Sequence, residues 1–128
     1  MKVLLDTHAL LWWLLDEPEM SNQARAIIAD PGNEILVSSA SAWEIATKFR
    51  LGKIPHIGNL VQTLPEMLQK ARMDVLPVSL AHALAAGNLP GPHRDPFDRM
   101  LIAQSRIEDL PFVTKDPVFK EYLPNILW

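Results

Sequence analysis

The sequence predicts an α/β fold, a three-layer α/β/α sandwich around a central, mainly parallel sheet of four to five strands. Short apolar runs alternate along the chain with segments whose apolar residues recur at helical spacing, the pattern of strand–helix–strand units. The runs, such as Val3-Leu4-Leu5 and Ile35-Leu36-Val37, show no polar alternation, so helices are expected to cover both faces of the sheet. Apolar residues make up 48% and charged ones 21% of the 128 residues, the balance of a globular chain with a real core. One domain over residues 1–128 is expected, because no repeat, linker or low-complexity stretch divides it.

Lys2-Val3-Leu4-Leu5 is the first strand, closed by Asp6. Asp6 or Thr7 caps the next helix, His8 to Leu15, whose run Ala9-Leu10-Leu11-Trp12-Trp13-Leu14-Leu15 is apolar on every side. One core does not readily bury all of it, so the Leu11, Trp12 and Trp13 cluster is expected to meet another chain in part. Asp16-Glu17-Pro18-Glu19 ends this helix, and Ser21 caps a second with Ala24, Ile27 and Ile28 inward. After the Asp30-Pro31-Gly32-Asn33 turn come a second strand, Glu34 to Ser38, and a third helix. That helix starts at Ser39 or Ser41 and ends at Leu51, with Gly52 as its C′ residue. Leu60, Val61, Leu64, Met67, Leu68 and Ala71 keep helical spacing around Pro65, which kinks the helix or begins its main part. Asp74 to Val78 is a third strand, and its Pro77 suits a sheet edge or a strand end. Ser79 caps an alanine-rich helix stopped by Gly87. Asp95-Pro96 reads as N-cap and first residue of a helix running to about Glu108, with Met100 to Ala103 sunk in the core. Pro111 to Thr114 is a fourth strand, Asp116-Pro117 starts a last short helix, and Asn125 to Trp128 adds an edge strand.

Composition removes several chemistries. With no cysteine, a disulfide framework, a thiolate nucleophile and a thiolate-bound zinc are all excluded. No charged segment leads into a cleavable apolar stretch and no apolar run reaches membrane-spanning length, so a cytoplasmic protein with no membrane partner is expected. A net charge of −3 argues against broad non-specific nucleic-acid binding, but it leaves room for a basic rim around an acidic centre.

The acids carry the functional signal. Asp6 follows the first strand, Glu44 lies within two turns of the second, and Asp116 comes two residues after the fourth. All three fall at the carboxyl edge of a parallel sheet, where sites form in such folds. Asp98 opens the helix leading into the fourth strand, and it reaches that edge if residues 88–96 cross it first. Each acid also has a purely structural reading. Asp6 is a helix cap, Ser41-x-x-Glu44 is a capping box, and Asp116-Pro117 is an N-cap before an N1 proline. Caps, however, need not converge. Carboxylates packed together repel unless a cation sits among them, and oxygen-only ligands select a hard ion, Mg²⁺ or Mn²⁺. The matching chemistry is phosphodiester hydrolysis by a metal-activated water.

Four ordered blocks then resemble a known family. They are Val3-Leu4-Leu5-Asp6-Thr7-His8-Ala9-Leu10-Leu11-Trp12, Ser38-Ser39-Ala40-Ser41-Ala42-Trp43-Glu44-Ile45, His93-Arg94-Asp95-Pro96-Phe97-Asp98-Arg99 and Thr114-Lys115-Asp116. Together they resemble the PIN-domain ribonucleases, and among them the VapC toxins of toxin–antitoxin pairs. The resemblance implies a PIN-like sandwich and a magnesium-dependent endoribonuclease that cuts RNA and is held inactive by an antitoxin. It puts the family's acids on Asp6, Glu44, Asp98 and Asp116. Asp6 and Asp98 are then direct metal ligands, while Glu44 and Asp116 orient metal-bound waters or support the ligands from behind. Asp95 becomes the helix cap and a support behind the ligands, as does Thr114. The family habit of homodimers matches the tryptophan-rich first helix.

Around this centre, Arg94 and Arg99 flank Asp98 and either bind phosphate or pair with the adjacent acids. Lys48 either joins them or serves as the i,i+4 partner of Glu44. His93 and His8 hydrogen-bond the acids or the RNA, or make ordinary structural bonds. The competing function is a non-catalytic PIN-like module that binds RNA or protein while its acids act as caps. A phosphoacceptor receiver domain fits less well, because the first strand ends in a single acid and the third ends in Pro77-Val78-Ser79.

Overall fold

The computed structural model describes residues 1–128. Its strands are β1 (Lys2–Leu5), β2 (Glu34–Ser38), β3 (Met73–Leu76), β4 (Phe112–Val113) and β5 (Ile126–Leu127). The helices are α1 (Thr7–Leu14), α2 (Asn22–Ala29), α3 (Ser39–Arg50), α4 (Leu60–Lys70), α5 (Leu80–Gly87) and α6 (Pro96–Glu108), with 3-10 turns at Pro55–Ile57 and Pro117–Glu121. The five strands form one sheet in the order β3-β2-β1-β4-β5, and every pairing is parallel.

Strand pleating splits the apolar runs between two cores. Val3, Leu5, Ile35, Val37 and Val113 face the larger one, where they pack with residues of α1, α2, α3 and α4. Leu4, Leu36 and Phe112 point the other way, against Leu101 and Ile102 of α6 and the C-terminal Phe119 and Leu123. This two-sided burial is what the unbroken apolar runs require. α5 packs on α6 outside the second core.

Most helix ends follow local chemistry. Ser21 accepts from the Ala24 N–H, Asp95 from the N–H groups of Phe97 and Asp98, and Asp116 from the Val118 N–H. Ser79 forms a full capping box in which His82 takes the place usually held by an acid. Gly52 follows α3 with φ +75°, as a C′ glycine should. Four boundaries differ from expectation. α3 is capped by Ser38, and no capping box forms at Ser41, whose hydroxyl accepts from the Thr7 Oγ1 hydroxyl at 2.8 Å instead. Pro65 lies inside α4 and does not begin its main part, and the buried stripe Leu60, Leu64 and Leu68 offsets the lost backbone bond. β3 begins one residue early and stops at Leu76, before Pro77 can interrupt pairing. The element after Asp116 is a 3-10 turn.

The first-helix cluster is buried in part, as the expected mixture of core and contact face implies. Leu11 is buried, and Trp12 and Trp13 pack half-buried on the larger core. Trp12 meets Trp128 edge-on at 5.7 Å. The large apolar side chains left open are elsewhere, among them Trp43 and, on α5, Leu80 and Leu84.

Candidate active site

β2 and β4 flank β1 on opposite sides, so the connections leaving the carboxyl ends diverge there and open a crevice. Asp6 stands at that point. It occupies the N-cap position of α1, yet its side chain makes no cap bond. Its Oδ2 accepts instead from the Thr114 hydroxyl at 2.7 Å, just beyond β4. Burial pushes its carboxyl from the ordinary 3.8 up to about 6. The Thr114 bond and the nearby His8 oppose that rise, while the charges of Asp98 and Glu44 add to it.

Glu44 reaches the crevice from α3 and is only 2% exposed. Lys48, one turn on, ion-pairs with its Oε2. Its Oε1 is buried without any hydrogen-bond partner. Asp98 comes from the first turn of α6, and His93 Nε2 lies 2.7 Å from its Oδ2. Burial raises this carboxyl above its ordinary range; the His93 bond works against the rise, and the charges of Asp95 and Glu44 add to it. Asp6, Glu44 and Asp98 therefore act on one another electrostatically, although they come from three separate elements.

The remaining acids behave otherwise. Asp95 uses Oδ1 as the cap of α6, at 2.9 and 3.1 Å from the Phe97 and Asp98 N–H groups. Asp116 is exposed and caps the turn behind β4 through Oδ1. Its link to the crevice is its backbone N–H, which donates to Thr114 Oγ1 at 3.1 Å. Asp116, Thr114 and Asp6 thus form a hydrogen-bonded chain that fixes the Asp6 carboxylate.

Of the basic residues, Lys48 takes its i,i+4 role beside Glu44. Arg94 is exposed. Arg99 neither pairs with an acid nor projects from the rim. Its Nε donates to the Ala86 carbonyl at 3.1 Å and its Nη1 to the His93 carbonyl at 2.8 Å, while Nη2 holds the Leu89 carbonyl. This guanidinium clamps the approach loop through three backbone carbonyls.

No three of the carboxylates and histidines are gathered tightly enough to form a ready coordination shell; each is turned toward a protein donor. The donor chemistry nevertheless fits a hard divalent cation. It offers oxygen ligands alone, two carboxyls held above their ordinary range, and a buried Glu44 oxygen with nothing to bond.

Three features were not foreseen. Thr7 and Ser41 tie α1 to α3. Tyr122 Oη accepts from the His93 N–H at 3.2 Å and so positions the approach loop. Trp43 and Phe97 meet edge to face with ring centroids 4.8 Å apart. Only the last left a signal, an aromatic residue directly before an acid in two of the four blocks.

Comparison with known proteins agrees with this frame. Ribonuclease VapC16 of Mycobacterium tuberculosis is 43% identical over 61 residues, which cover 48% of this chain and 43% of that protein. Ribonuclease VapC22 of the same organism is 28% identical over 116 residues, covering 89% and 86%. The match thus spans less than half the length of the first relative and most of the second. A crystal structure of VapBC2 from Rickettsia felis, bound to a DNA fragment from their promoter, superposes with a TM-score of 0.66 at 17% identity, over 98% of this chain and 96% of that one. A toxin–antitoxin complex from Klebsiella pneumoniae gives 0.64 at 17% identity, over the same shares of 98% and 96%. At such identities the likeness is one of fold. The PIN domain model matches residues 3–122, from the first strand to the turn behind the fourth, and the chain belongs to the PIN domain family.

Proposed function

We propose that this protein is a divalent-cation-dependent endoribonuclease and the toxin of a toxin–antitoxin pair. The observation that carries the reading is the behaviour of Asp6, Glu44 and Asp98. They feel one another's charge near the end of β1, and none of them makes the cap bond that would explain it structurally. The structural reading applies to Asp95 and Asp116, which do cap. Ribonuclease relatives and toxin–antitoxin neighbours of the same fold support the substrate class and the partner.

In this reading Asp6 and Asp98 are the direct ligands, and Glu44 contributes its unpaired Oε1. Mg²⁺ or Mn²⁺, when bound there, supplies an activated water and neutralises charge on the phosphate. Thr114 orients Asp6, with Asp116 behind it. His93 favours the ionised form of Asp98. Lys48 offsets one charge of Glu44 and leaves the second oxygen to the site. Arg94 receives a phosphate of the RNA, whereas Arg99 acts through the loop it holds. No helix is long and apolar enough to cross a membrane, and the cytoplasm is where RNA and antitoxin would meet the enzyme. The open Leu80 and Leu84 of α5 supply an apolar surface for the expected association with the antitoxin or a second copy.

The test is incubation of the purified protein with labelled RNA, with Mg²⁺ or with EDTA, beside Asp6→Asn and Asp98→Asn. Cleavage should require the ion and fall at least about 100-fold in each variant. Equal cutting in EDTA, or by both variants, discards the mechanism.

A further inference from the structure

We propose that the Lys48 ammonium is a built-in counter-ion of the acid cluster and competes with the divalent cation for Glu44; this rests on the cation-dependent reading above and names how that site is held in check. Lysine heads ordinarily reach water while their stems lie along the protein. Lys48 does otherwise. Its side chain is only 26% exposed, and its ammonium is turned onto Glu44 Oε2, one turn back on α3. An i,i+4 pair on a solvated helix face contributes little. Glu44 is on no such face, since its side chain is 3% exposed, and a charge buried that far needs a partner inside the protein.

More than one acid holds this ammonium. Burial disfavours its charge, yet the Glu44 hydrogen bond and the charges of Glu44, Asp95 and Asp98 more than offset that. Asp95 and Asp98 belong to the start of α6, so the link runs through space between two helices. The acids meanwhile repel one another: Asp98 and Glu44 act on Asp6, and Glu44 acts on Asp98. No other lysine or arginine lies within ion-pair distance of Asp6, Glu44 or Asp98. Lys48 is therefore the fixed positive charge that offsets their repulsion. A divalent ion would bring two positive charges to the same carboxylates, and of the two Glu44 oxygens only Oε1 has no partner. Ammonium and ion repel, so each weakens the other's hold on the cluster, and it does so reciprocally. A lysine reserved for a phosphate of the RNA would keep its ammonium free and facing solvent. This one is engaged and largely covered.

The experiment is calorimetric titration of Mn²⁺ into wild-type protein, Lys48→Gln and Lys48→Arg, at pH 7.5 and without RNA. The glutamine amide still donates to Glu44 but carries no charge, whereas arginine keeps the charge. Lys48→Gln should bind Mn²⁺ at least about tenfold more tightly than wild type, and Lys48→Arg should stay within about threefold of it. In EDTA, Lys48→Gln should melt below wild type, and saturating Mn²⁺ should close that gap, because the tighter site gains more from the ion. Unchanged or weaker Mn²⁺ binding by Lys48→Gln overturns the proposal and leaves Lys48 a structural partner of Glu44 or a phosphate contact. An equal gain in Lys48→Arg overturns it too, because the charge would not be the cause. Absence of Mn²⁺ binding in all three proteins removes it together with the cation site. Mn²⁺ binding that tightens in Lys48→Gln, in a wild type that cuts no RNA, would sink the nuclease reading alone.

Discussion

Removing Asp6 from water raises its carboxyl from 3.8 to about 6, even with Thr114 donating to it. Its folded-state value lies above its unfolded one, so the folded chain holds the proton more tightly. Stability from this group is fully present below about pH 4 and is lost as pH rises through about 6. Ionisation at neutral pH then costs about 3 kcal/mol, at roughly 1.4 kcal/mol per pH unit. Asp6→Asn keeps an acceptor for Thr114 and removes the charge. Its thermal midpoint should exceed that of wild type by about 5–10 °C at pH 7.5 in EDTA, and the gain should vanish below pH 4. A variant that melts at or below the wild-type temperature at pH 7.5 would show that the carboxylate is not strained by folding. Asp6 itself was plain in the sequence, since a lone acid ended an apolar strand. Its partner Thr114 lies 108 residues away, and the large shift exists only once both are buried.

At the scale of elements, α6 and the loop before it decide where Asp98 points. The helix start was legible, because Asp95-Pro96 is a local signal and Asp95 does cap. The loop was not. Arg99 ties it to the carbonyls of Ala86, Leu89 and His93, and Tyr122 holds the His93 N–H. These bonds reach back from a helix and from the chain's end, where no sequence period signals them. Gly91 makes the close approach possible. Its φ is +114°, and a Cβ there would come within 2.5 Å of Tyr122 Oη. Gly91→Ala should destabilise the protein by about 2 kcal/mol in urea denaturation and lower the proposed RNA cleavage, because His93 moves with the loop. Unchanged cleavage would mean that the His93–Asp98 contact is dispensable.

For the whole molecule, five parallel strands bring the ends of β1 and the starts of α3 and α6 to one crevice, and burial there is opposed by mutual repulsion of the acids. A divalent cation held among the acids, as proposed, would relieve that repulsion in the folded state alone. Millimolar Mg²⁺ or Mn²⁺ should therefore raise the melting temperature by several degrees at pH 8, and by much less at pH 5. The sign follows from the raised carboxyls, which must lose protons before they can hold the ion. An equal rise at both pH values, or none at pH 8, would count against a carboxylate cation site. The sequence alone determined the layers, the order of strand and helix, and the acids at strand ends, because pleating, helical period and capping act over a few neighbouring residues. Tertiary structure alone decided which acids share a field, that Glu44 keeps an unpaired oxygen, that Asp116 reaches Asp6 through Thr114 and that Arg99 serves a loop. Electrostatics and desolvation depend on distances through space, and the fold sets those between residues far apart along the chain.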